Sequence, residues 1–165
     1  MNQTRQTRKK SYLPWIILSG VIVVALAIFT AVQTGQKSPL YASGTVEITP
    51  ELVSAAKGMR TLYLVALPPA ESGMRMPFGA ARFNVNEDAS GKFLNFTLTP
   101  EIMQLMPGAG GVMPDEFRLK ARLDADGAGG ADQPGDLVGE VSTVKLGTEG
   151  ILITINRVAS GTLAP

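Results

Sequence analysis

Apolar and polar positions follow two different rules along this chain. Residues 13–32, LPWIILSGVIVVALAIFTAV, form an unbroken run of 20 residues without a charge. At 1.5 Å per residue a helix of that length spans about 30 Å, one hydrocarbon core. From Ser43 onward apolar positions instead alternate with polar ones, the period of strands. Phe117, Leu119, Ala121 and Leu123 interleave with Arg118, Lys120 and Arg122, and Ile151, Ile153 and Ile155 with Leu152, Thr154 and Asn156. Each pattern gives a strand one buried and one wetter face, as in antiparallel sheets. Strands are predicted over 44–48, 61–67, 77–83, 93–98, 116–123, 137–141 and 151–158, separated by Gly- and Pro-rich breaks. Two signals for short helical turns interrupt them. Thr49-Pro50-Glu51-Leu52 and Thr99-Pro100-Glu101-Ile102 each offer a Thr N-cap, a Pro in the first helical position and an early acid. The repetition of this signal reflects shared turn chemistry rather than duplication. The expected fold is one transmembrane α-helix followed by an all-β domain, an antiparallel β-sandwich of about seven strands with short helical turns.

The apolar run divides the chain into a basic tail (1–12), a membrane helix (13–32), a linker (33–42) and an outer domain (43–165). Pro14 falls in the first turn, where a missing N–H costs little, and Tyr12 and Trp15 suit the headgroup boundary. A cleaved signal peptide fits less well, because its apolar segment is usually about 7 to 15 residues and QTGQKSP after Val32 offers no small-x-small cleavage site. Arg5, Arg8, Lys9 and Lys10 precede the helix and Lys37 alone follows closely. That bias predicts a single-pass protein of the bacterial inner membrane, N-terminus cytoplasmic and outer domain periplasmic. A ten-residue linker reaches at most about 35 Å, which keeps the domain near the bilayer. Ser19 and Gly20 are small enough to admit another helix closely.

Composition then narrows the chemistry. The 165 residues include no Cys and no His, which excludes Ser-His-Asp and Cys-His nucleophiles, the common zinc sites, thiol redox chemistry and C-x-x-C-H haem attachment. No catalytic constellation of carboxylates, Lys or Tyr presents itself, so the chain is expected not to be an enzyme and to hold no cofactor or metal. The formal net charge of +1 conceals ten basic and fourteen acidic residues from Tyr41 onward. Neither a nucleic acid nor a small-molecule substrate is expected as partner.

Beside the helix-packing pair, three features remain as candidate sites. Asp124, Asp126, Asp132 and Asp136 flank a Gly-rich stretch that begins like a calcium loop. Counting from Asp124, however, puts Ala128 and Gly135 where an oxygen ligand and a Glu are required. That stretch, 125–135, has no apolar side chain of any size to bury and reads as a mobile loop. Arg118, Lys120 and Arg122 form a basic stripe on one strand face, a contact for an acidic protein or lipid phosphate, or simply a solvated face. Met103, Met106 and Met113, with Met74 and Met76 from an earlier loop, offer soft side chains for an adaptable protein-binding surface, for gap filling or for copper(I), the last without any His or Cys to assist.

The outer domain also carries a resemblance. Ser43-Gly44-Thr45-Val46, then Pro50-Glu51-Leu52, Thr61-Leu62-Tyr63-Leu64-Val65-Ala66, Met76-Pro77, Ala121-Arg122-Leu123, Gln133-Pro134-Gly135-Asp136-Leu137-Val138-Gly139 and a final Ile-rich strand run in one order. In that order and spacing, over 43–158, the chain resembles the C-terminal periplasmic domain of the CcmI (CycH) cytochrome c biogenesis family. Here the domain is expected on a single membrane anchor without that family's helical repeat domain. The resemblance implies a non-catalytic binding module, since family members are membrane-bound chaperones that hold apocytochrome c for haem attachment. Two functions are therefore expected. One is a structural accessory subunit of a respiratory or photosynthetic electron-transfer membrane complex, favoured by size and short linker. The other is a cytochrome c maturation factor contacting apocytochrome c, which requires a client groove.

Overall fold

The computed structural model describes residues 38–74 and 76–160. Among them nine strands form two sheets. They are β1 (Ala42–Ile48), β2 (Thr61–Leu67), β3 (Gly79–Asn84), β4 (Gly91–Leu98), β5 (Gln104–Leu105), β6 (Glu116–Asp124), β7 (Leu137–Lys145), β8 (Thr148–Ile155) and β9 (Arg157–Val158). The smaller sheet has the order β4-β1-β8 and the larger β5-β3-β2-β6-β7-β9. The domain is all-β, and its helical content among the described residues is three single 3-10 turns. The membrane-helix reading of 13–32, the packing pair Ser19 and Gly20, and the orienting Arg5, Arg8, Lys9 and Lys10 lie outside the described residues. Among the described residues no helix is long and apolar enough to cross a membrane.

Alternation puts the apolar half of each strand inward. Val46 and Ile48 of β1, Phe96 and Leu98 of β4, and Ile153 and Ile155 of β8 share one buried cluster with Leu62, Leu64 and Ala66 of β2 and with Phe117, Leu119 and Leu123 of β6. Fully burying such side chains stabilises by about 1.5 to 3 kcal/mol each relative to exposure, enough to fix which face of each strand looks inward. β1 starts at Ala42, and Tyr41 before it is already buried.

Strand direction departs from the antiparallel expectation. β1 pairs antiparallel with β4 but parallel with β8, because alternation specifies faces and not direction. The turn at Leu146 and Gly147 sends β8 back along β7, and Gly147 N–H is held by Tyr41 C=O at 2.8 Å. The two sheets approach each other at the end of β7 and β8 remote from this turn. A Cβ at Gly139 of β7 would lie 2.1 Å from Thr154 C=O on β8, so only glycine fits. Asn156 N–H donates to Val138 C=O at the same end, at 3.2 Å.

Both signals fold as short turns, the first without the expected side-chain cap. Pro50–Leu52 is a 3-10 turn, and the Thr49 side chain makes no capping hydrogen bond. At the second signal Thr99 C=O accepts from Ile102 N–H and Met103 N–H, at 3.1 and 2.9 Å.

The outward face of the larger sheet bears on function. β2 lies between β3 and β6, with Tyr63 opposite Arg82 and Arg122, and Val65 opposite Ala80 and Lys120. Leu67 stands opposite Arg118. The middle column of this face, Tyr63, Val65 and Leu67, is only half-buried.

Candidate functional site

A groove of about 560 Å³ runs over this outward face. Its floor is Val65, Leu67 and Ala80; Pro77, Gln104 and Met106 border it on one side and Gly129 to Asp132 on the other. A second depression of about 260 Å³ shares Tyr63, Ala80 and Gln104 with it and extends to Arg82 and Ile102. Together they make a mostly apolar cleft with a few charged groups at its margins, in the size range of ligand-holding clefts.

The wall from Gly129 to Asp132 exists because of Arg122. Outward-facing on β6, this arginine is nevertheless only 2% exposed. Its Nη2 lies 2.9 Å from Asp124 Oδ2, its Nε 3.6 Å from Asp136 Oδ2, and its Nη1 3.9 Å from Asp132 Oδ1. Nη1 donates to Gly130 C=O at 2.6 Å and Nη2 to Ala128 C=O at 3.2 Å. The Tyr63 ring closes over it, its centroid 4.9 Å from the guanidinium carbon. Nε and Asp124 Oδ2 have no aligned hydrogen bond. The charges nonetheless compensate one another at short range in a site with little water.

The aspartates also pin the loop backbone. Asp124 Oδ1 accepts from Gly127 N–H at 2.6 Å, and Asp136 accepts from Ala125 N–H at 3.1 Å and Gln133 N–H at 2.8 Å. Tyr63 Oη donates to Gly127 C=O at 3.3 Å. Burial, a hydrogen bond to Asp126 and the charge of Asp136 push the Asp124 carboxyl above the usual range, against the pull of Gly127 N–H and Arg122. Asp126 moves the other way, held low by Ala128 N–H and by its hydrogen bond with Asp124.

Two sequence readings are corrected here, those of the loop and of the basic stripe, and the aspartates already rejected as a calcium loop find another partner. The stretch 125–135, read as having nothing to bury, covers a buried guanidinium. The four aspartates that begin like a calcium loop include three ion-pair partners of Arg122. The basic stripe of Arg118, Lys120 and Arg122 is not an open cationic face. Lys120 Nζ bonds both oxygens of Asp132, at 2.7 and 2.9 Å, and Arg118 donates to Glu140 at 3.0 Å and to Pro68 C=O at 2.6 Å.

The methionines separate as well. Met103 and Met113 are core residues, because their long side chains reach inward from the ends of a Gly-rich connection. Met106 stays part-exposed and lines the groove. Met74 and Met76 are more than half exposed, and Met76 covers Gly108 so closely that a Cβ there would meet its sulfur at 2.6 Å.

Sequence reasoning missed the groove floor of Val65, Leu67 and Ala80 and the flanking Tyr63, Arg82 and Gln104. A signal was present. The run Thr61-Leu62-Tyr63-Leu64-Val65-Ala66-Leu67 does not alternate but is apolar nearly throughout, which marks a strand whose outer face is not an ordinary solvated one.

No protein-family model, curated protein or solved structure matches the chain.

Proposed function

We propose that the chain is a non-catalytic periplasmic module, anchored in the inner membrane by a helix over 13–32, that binds proteins through the groove on its larger sheet. The carrying observation is the groove itself: an apolar floor open to solvent, between two walls that the protein takes care to fix. An outer sheet face with no binding role has no need of Val65 and Leu67 at half-exposed positions, where polar residues would be more soluble.

The anchored domain and its groove fit a β-sandwich that acts close to the bilayer. Of the two functions expected from the sequence, the groove favours the maturation factor, because holding a client segment requires a cleft. The resemblance to the CcmI family points the same way and suggests apocytochrome c as client. The accessory-subunit reading is supported by the size of the chain and the short linker.

Co-purification of the full-length chain from gently solubilised membranes tests this. Substoichiometric recovery of maturation proteins or apocytochrome c is expected, abolished by Val65→Asp in the groove. Leu152→Asp, on the 45% exposed Leu152 of the other sheet, should leave it intact. Stoichiometric recovery of a haem- or pigment-bearing complex would establish the accessory subunit instead. Equal recovery with Val65→Asp would remove the groove from the interface.

A further inference from the structure

Taking the groove as the protein-binding face, we infer that it selects an extended segment carrying a carboxylate two residues from an apolar side chain. The floor is a grid. One rung is Arg82, Tyr63 and Arg122; the next is Ala80, Val65 and Lys120. Successive rungs on one face of a strand are two residues, or about 7 Å, apart.

Charge along these rungs is uneven. Arg122 is met by three aspartates and Lys120 by Asp132. Arg82 is exposed and forms no ion pair among the described residues; its one polar side-chain contact is Thr61 Oγ1 at 3.4 Å. Lys120 places its ammonium on the two oxygens of a single carboxylate, and an ammonium has three donors. Arg82 is therefore the cation beside the apolar floor that has no acidic partner among the described residues. It stands on the rung adjacent to Val65 and Ala80. A carboxylate at Arg82 with an apolar side chain one rung further on satisfies both, whereas a cationic segment meets repulsion.

An extended segment matches this spacing with the fewest intervening residues. Side chains two residues apart share a face in an extended chain and diverge around a helix. The matching partner is thus a strand-like segment of the pattern acid-x-apolar.

The test is a titration by NMR of the full-length chain in detergent micelles, carried to millimolar peptide. Four acetylated, amidated peptides serve as probes: Thr-Asp-Thr-Leu-Thr, its Asn and Lys counterparts, and Thr-Asp-Leu-Thr-Thr with the pair adjacent. Shift changes at Val65 and Ala80 report groove binding. At low salt the Asp peptide is expected to bind about threefold tighter than the Asn peptide, as suits an exposed ion pair. High salt should erase that advantage. The Lys peptide and the adjacent-pair peptide should bind more weakly than the Asp peptide. Arg82→Gln should remove the preference for Asp while leaving the Asn peptide unchanged. Equal binding of the Asp and Asn peptides, or an Asp advantage that survives Arg82→Gln, would overturn the inference and leave the groove reading standing. Failure of all four peptides to shift Val65 or Ala80 would overturn the groove reading with it.

Discussion

Residues 103–113 and residues 125–136 are both rich in glycine, both connect strands and both wall the groove, yet they are held by different forces. The first is anchored at its ends by Met103 and Met113, 2% and 5% exposed, which join the apolar core. The second contributes no large apolar side chain and is wound around the guanidinium of Arg122, with Asp124 and Asp136 buried beside it. A wall held by burial depends on volume. A wall held by a buried cation depends on every partner being present, because removing one leaves the others charged and dry.

The comparison predicts an order of sensitivity. Arg122→Met should be the most damaging change, costing about 3 to 5 kcal/mol, since Asp124 and Asp136 lose their compensation. Denaturant unfolding of the full-length chain in micelles measures it, and a cost under about 1 kcal/mol would show that the cluster is not the anchor. Met103→Ala should follow at about 2 to 4 kcal/mol, the range for emptying a buried Met site. Met106→Ala, in the same segment but part-exposed, should cost far less, and equal costs would contradict the assignment of Met103 to the core.

A pH series sharpens the ionic side. The folded Asp124 carboxyl titrates above its ordinary 3.8. Its contribution to stability is therefore fully present below that value and is lost as pH rises through the folded value. Asp126 is lowered from 3.8 and contributes in the opposite sense, present above 3.8 and lost as pH falls through its folded value. Asp124→Asn removes the first contribution, while Asp126 keeps the Ala128 N–H that lowers it most. The variant's stability deficit relative to the wild type should widen on acidification toward 3.8, and a deficit that narrows would reverse the assignment. The smallest effect is expected for Lys120→Ala. Its pair with Asp132 is partly solvated, 16% and 22% exposed, so about 1 kcal/mol or less is at stake.

The same contrast explains what could be read from the sequence. Residues 61–67 were legible as a strand to both ends, and 116–123 to within one residue of β6, because a period of two is a local property. The direction of β8 against β1 was not, since it depends on a partner more than a hundred positions away. The candidate site was legible only in fragments. Met106 lines the groove, whereas Met103 and Met113, read with it, serve the core. Arg122 was read as wet because its neighbours on β6 alternate correctly. Its burial arises from aspartates at 124, 132 and 136, which converge only when the loop between them closes. Those aspartates do resemble a cation-binding loop in spacing, and the cation they enclose belongs to the chain itself.

Amide hydrogen exchange of the full-length chain in micelles, read residue by residue across 125–136, tests most directly whether this second segment is a fixed wall. The amides of Ala125, Gly127 and Gln133 donate to Asp136 and Asp124, and they should exchange far more slowly than a free chain in the wild type. In Arg122→Met that protection should vanish while β2 and β6 keep theirs. Exchange at the free-chain rate in the wild type, or protection untouched by Arg122→Met, would contradict the account.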